Sequence, residues 1–112
     1  MKKRGFTLVE IMIVVMIIGV LMSVAVPQFL QAREVSRHRT CLSNLKKIDE
    51  AKEMRAGEQG LNDGDPCDMN DITPTYLRRA PSCPASGTYT VNVIGTDPTC
   101  SQNAGIYPHV LP

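Results

Sequence analysis

The sequence predicts an α+β fold: one long N-terminal helix, apolar in its first half and amphipathic in its second, capped by a small disulfide-stapled β-hairpin and loop domain. Three observations carry this reading. Residues Phe6–Val26 form a largely apolar run that, as a helix, would be about 31 Å long, the thickness of a bilayer core. Beyond Pro27, apolar residues recur at helical spacing as far as Ala51. All four cysteines, Cys41, Cys67, Cys83 and Cys100, lie after the apolar run, and a β-rich stretch precedes the last of them. The chain accordingly divides into 1–5, a short basic leader; 6–27, an apolar helix; 28–56, an amphipathic helix; and 57–112, a small globular cap.

The apolar run contains one formally charged residue, Glu10. An ionised carboxylate within lipid costs about 2.5–3.5 kcal/mol on insertion scales, so it requires a partner. A simple membrane anchor accounts for the length of the run but not for Glu10. A secretory signal peptide is a second reading, because Ser23-Val24-Ala25 has the small-x-small form of a signal-peptidase site. Cleavage there would free a soluble binding domain beginning at Val26, and it also leaves Glu10 without a role.

The stretch Lys2-Lys3-Arg4-Gly5-Phe6-Thr7-Leu8-Val9-Glu10, followed by the apolar run and Pro27, resembles the leader and cleavage site of type IV prepilins and type II secretion pseudopilins. The resemblance implies that a prepilin peptidase cuts between Gly5 and Phe6 and methylates the new α-amine of Phe6. It also implies that Glu10 meets the Phe6 amine of a neighbouring subunit and sets the axial register of a filament. Breaking such a buried pair costs about 3–5 kcal/mol. The expected partners are the peptidase, copies or relatives of the chain, membrane lipid before assembly, and an inner-membrane assembly platform. The expected location is the bacterial cytoplasmic membrane with the C-terminal part outside, then a periplasmic or extracellular filament. The flanking charges barely favour an orientation; oxidised cysteines would place the cap outside the cytoplasm. Within the family, a secretion pseudopilin is the favoured reading and a true pilin for adhesion, motility or DNA uptake the alternative.

Along the helix, Gly19 and Pro27 are the expected points of weakness. Pro27 removes the hydrogen bond to the Ser23 carbonyl, so a bend or loosened turn is expected around 23–27. The second half places Val35, Leu42, Leu45 and Ile48 on one face, with Cys41 and Ala51 beside them. Glu34 is expected to pair with Arg37 or His38, and Asp49 with Lys52. The helix is expected to end near Arg55 or Ala56, with Gly57 as a left-handed cap. Arg33, Arg37, His38 and Arg39 form a basic patch that suits lipid head groups, neighbouring subunits or DNA. Its plainer reading is a solvated face, since no aromatic residues interleave for base stacking.

In the cap, Thr73–Arg79 reads as a short helix with Thr73 as N-cap and Pro74 as its first residue. Thr88–Ile94 reads as a strand, 95–98 as a turn, and Thr99–Ser101 as a second strand pairing back. The tail from Cys83 to Ser101 resembles the end of short pseudopilin-like proteins. Of the three pairings open to four cysteines, Cys83–Cys100 would close the hairpin and Cys41–Cys67 would pin the loop to the helix. The loop residues Asp63, Asp65, Asp68 and Asp71 could hold Ca2+, although the EF-hand pattern is absent and a polar turn explains them as well. No other cofactor is expected. A thiol metal site would need close pairs such as C-x-x-C, and there are none, so disulfides are expected over reduced or metal-bound thiols. No nucleophile motif, phosphate loop or metal signature suggests an enzyme.

Overall fold

The computed structural model describes residues 4–112, so Lys2 and Lys3 of the basic leader lie outside the described residues. The chain divides into two units, Met1–Arg33 and Glu34–Pro112. The secondary structure is α1 (Leu8–Gln59), α2 (Met69–Ile72), β1 (Tyr89–Thr90) and β2 (Thr99–Cys100). The long helix and the small antiparallel hairpin agree with the α+β reading. The disulfide staple is not supported, because no two of the four cysteines lie at disulfide distance.

In the first unit, α1 is solvent-exposed on every face, as expected of a helix whose partners are lipid or other helices. Its most apolar 18-residue window has a mean hydropathy of 2.8, enough by length and composition to cross a membrane. The helix runs as one element, Leu8–Gln59, through Gly19 and Pro27. Nearby, the Ser23 hydroxyl donates to the Val20 carbonyl at 2.7 Å.

In the second unit, the buried stripe of α1 is Cys41, Leu45, Ile48, Ala51 and Lys52. These positions follow the i, i+4, i+7, i+10, i+11 spacing of one helix face. The expected stripe was thus nearly right; its centre is displaced, leaving Leu42 and Val35 at the half-buried margin. The helix ends later than expected. Gly57 is helical, and Gly60 supplies the left-handed residue, with φ +67°. The Leu61 N–H donates to the Ala56 carbonyl at 3.0 Å, closing a Schellman motif.

The cap packs on this stripe in two clusters. One joins Ile48, Ala51, Cys67, Ile72, Val91 and Ile94. The other joins Cys41, Leu45, Cys83 and Cys100, flanked by Tyr89, Ala85 and Leu111. The expected Cys41–Cys67 bridge fails here, because Cys67 belongs to the first cluster and Cys41 to the second. The expected Cys83–Cys100 bridge is also absent.

Both cap elements are shorter than expected. The short helix is Met69–Ile72, and Thr73 closes it instead of opening one, with its N–H donating to the Met69 carbonyl at 3.0 Å. Thr73–Pro74 is a cis peptide following that helix. The local signal is Asp68-x-x-Asp71, whose Asp71 carboxylate accepts the Asp68 N–H at 2.8 Å. The expected strand Thr88–Ile94 keeps only Tyr89–Thr90, paired with Cys100 and Thr99 respectively. Asn92 ends it by adopting φ +62°, and its side-chain amide donates to the Asp97 carbonyl at 2.8 Å. That reversal lets Val91 and Ile94 both enter the core, which a regular strand would not do for residues of opposite parity. Ile94 instead bonds the 64–65 loop: the Gly64 N–H donates to its carbonyl at 2.8 Å, and its N–H donates to the Asp65 carbonyl at 2.9 Å.

Candidate functional site

The segment Arg4–Thr7 is non-helical and exposed, and α1 begins immediately after it at Leu8. The Gly5–Phe6 bond therefore lies in open chain, with the Phe6 side chain 86% exposed. A Cβ added at Gly5 would meet nothing within 4 Å. The fold therefore places no steric demand on glycine at this position.

Thr7 and Glu10 form a reciprocal capping box. The Thr7 N–H donates to Glu10 Oε2 at 2.8 Å, and the Glu10 N–H donates to Thr7 Oγ1 at 3.2 Å. Two of the N–H groups that every helix start leaves without intrahelical partners are satisfied this way. The carboxylate also lies at the positive end of the helix dipole. Thr7 was not singled out from the sequence, yet the T-x-x-E spacing before an apolar run is the known signature of such a cap.

The basic patch is divided among separate contacts. Arg33 lies over the Phe29 ring at 5.9 Å, and Arg37 pairs with Glu34 at 3.0 Å. His38 packs beside Tyr107 and His109, with ring centroids at 5.9 and 5.6 Å. Arg39 is exposed. The expected Glu34–Arg37 pair is present. The expected Asp49–Lys52 pair is not among the ion pairs of the described residues; Lys52 is buried and donates to the Val91 carbonyl at 2.8 Å and to the Thr96 carbonyl. Burial pushes the Lys52 ammonium below the usual lysine range, against the opposing pull of Asp49.

The loop aspartates have separate local roles. Asp65 accepts the Asn62 N–H at 2.7 Å, Asp71 accepts the Asp68 N–H, and Asp63 lies against Gly95. Among the described residues, the convergent group of potential metal ligands is instead Cys41, Cys83, Cys100 and His109, with ligand atoms all within 4.8 Å of one another. Burial pushes the Cys41 thiol up to about 12. Burial also raises Cys83, but hydrogen bonds from the backbone of Ala85 and Gly87 outweigh it and hold that thiol below the ordinary cysteine value.

Comparison with known proteins places these features in a family. Residues 1–26 match the prokaryotic N-terminal methylation motif. The type II secretion system core protein G of Klebsiella pneumoniae is 32% identical over 102 residues, covering 79% of this chain and 73% of that protein. The chain belongs to the pilin and pseudopilin family. The core protein G of Pseudomonas aeruginosa is 29% identical over 85% of this chain and 77% of that protein. The type IV major pilin PilA of Myxococcus xanthus is 45% identical, but over only 42% of this chain and 21% of the pilin. No solved structure matches the chain. Members of the pilin and pseudopilin family are structural subunits, processed by a prepilin peptidase and assembled with related subunits, and the apolar helix of this one suits a membrane-anchored precursor.

Proposed function

We propose that this chain is a pseudopilin of a type II secretion system, assembling into a periplasmic filament that moves cargo. The observation that carries the reading is coverage. Similarity to the Klebsiella core protein G covers 79% of this chain and so extends into the cap, whereas similarity to the Myxococcus pilin covers 42% of it. The membrane-spanning motif is common to pilins and pseudopilins, so the cap carries the distinction.

In this reading the peptidase cuts the open Gly5–Phe6 bond and methylates Phe6. Glycine at position 5 is then a demand of the peptidase, consistent with the absence of any steric demand from the fold. Cleavage removes nothing from the Thr7–Glu10 cap, so the mature helix starts preformed. Glu10 can then exchange its local Thr7 contact for the Phe6 amine of a neighbour, where two charges each costly in lipid compensate one another. The exposed apolar helix supplies the filament core and the cap faces outward. Membrane lipid covers the helix before assembly, and an inner-membrane platform hands subunits to the filament.

The test is deletion of the chain in its own host, with complementation. Extracellular hydrolases should collect in the periplasm of the deletion strain. Normal secretion combined with loss of surface fibres would overturn the secretion reading in favour of a true pilin.

A further inference from the structure

Cys41 of α1, Cys83 of the turn after α2, Cys100 of β2 and His109 of the tail meet at one point, drawn from four separate segments. All four are buried, the most exposed at 7%. The distances bear on what they do. Cys41 and Cys83 sulfurs are 3.7 Å apart, and Cys83 Sγ is 3.6 Å from His109 Nδ1. Tetrahedral zinc with bonds of about 2.3 Å to sulfur and about 2.05 Å to nitrogen separates its ligands by about 3.75 Å for S···S and about 3.6 Å for S···N. A disulfide would use two of the three thiols and leave the third, with the imidazole, unaccounted for.

The tight turn Cys83-Pro84-Ala85-Ser86-Gly87 places Cys83 in the cluster. The Ser86 N–H donates to the Cys83 carbonyl at 3.1 Å, and Ser86 takes φ +62°. Gly87 makes the convergence sterically feasible: a Cβ there would lie 2.7 Å from Cys100 Sγ and 3.1 Å from Cys83 Sγ. His109 is fixed by its N–H, which donates to the Gln102 carbonyl at 2.8 Å, and by Leu111 packing on the cysteine cluster. The His38 ring lies against His109, and its buried Nδ1 has no partner.

We propose that Cys41, Cys83, Cys100 and His109 form a structural Zn2+ site that holds the cap on the helix, in the place where disulfides were expected. Zinc binding requires three thiolates and a neutral imidazole, with the displaced thiol protons passing to solvent. Cys67 stands outside the site, in the other core cluster.

The test uses the full chain, purified from membranes in detergent without chelators. Zinc is measured by mass spectrometry, alongside free thiols and intact mass. One zinc per chain is expected, released when a mercurial blocks the thiols. Cobalt(II) added to the zinc-stripped wild-type chain should show intense thiolate charge-transfer and tetrahedral d–d bands, which reads the ligand set without any mutation. Cys83→Ser and His109→Gln should lower zinc occupancy at least tenfold, and Cys67→Ser should leave it unchanged. A disulfide joining any two of Cys41, Cys83 and Cys100, an absence of both zinc and cobalt binding, or zinc retained in Cys83→Ser would each overturn the proposal.

Discussion

Thr7 and Glu10 hold each other through two hydrogen bonds, the Thr7 N–H to Glu10 Oε2 at 2.8 Å and the Glu10 N–H to Thr7 Oγ1 at 3.2 Å. Glu10 therefore has a local role in the isolated chain besides any pairing with a neighbour. The two roles separate by mutation. Gln caps a helix nearly as Glu does but carries no charge. Glu10→Gln and Glu10→Ala should both be processed normally and both lose filament assembly at least tenfold, while Thr7→Ala assembles. Assembly restored by Glu10→Gln would mean that capping, and not charge, is what the filament requires.

Gly5 has no neighbour that a methyl group would strike. Gly5→Ala should leave the helix content of the precursor unchanged while blocking cleavage. Circular dichroism and the intact mass of the chain recovered from membranes check the two halves of that statement.

Lys52 is buried and satisfies the Val91 and Thr96 carbonyls. Replacement by Met fits the volume but leaves both carbonyls without a donor. The cost should be about 3 kcal/mol, from hydrogen bonds to a charged group and buried acceptors left unmade. Denaturant unfolding of the detergent-solubilised chain measures it. The pH dependence has a definite sign. Because the folded-state value lies below 10.5, the unfolded chain binds more protons in the interval just below that pH. The Lys52 contribution therefore becomes more favourable as pH rises through that interval, and Lys52→Met should lose this trend.

Three glycines of the second unit should respond differently to alanine. Gly57 is helical with open space around it, so Gly57→Ala should stabilise the helix by about 0.5–1 kcal/mol. Gly60 has φ +67° and open space, so Gly60→Ala should cost about 1 kcal/mol through backbone strain. Gly95 has φ +85°, and a Cβ would lie 2.7 Å from the Asp63 carboxylate, so Gly95→Ala should cost more than Gly60→Ala. Thermal unfolding of the three variants checks the order.

Much of this architecture was readable from residue spacing. The apolar run, the amphipathic stripe through Leu45 and Ile48, and the start of the pairing between Thr88–Ile94 and Thr99–Ser101 all follow from local periodicity. Lys52 shows where that approach stops. It lies four residues beyond Ile48, on the buried face, but its charge assigned it to the surface with Asp49. Only the two carbonyls brought over it by the cap make its burial tolerable. Asn92 is similar: Thr88–Ile94 alternates like a strand, yet a left-handed residue within it redirects Val91 and Ile94 into the core.

The sequence by itself determined the membrane-length helix, the processing motif and the position of Glu10, because these depend on neighbours along the chain. Tertiary structure alone decided the fate of the cysteines. Their spacing contains no close pair, so whether each meets a thiol, a histidine or an apolar core depends on which segments the helix stripe gathers. It gathers Cys41, Cys83, Cys100 and His109 at one end of the cap and buries Cys67 among aliphatic side chains at the other. Pairing between residues far apart in sequence is a property of packing, and no local pattern records it.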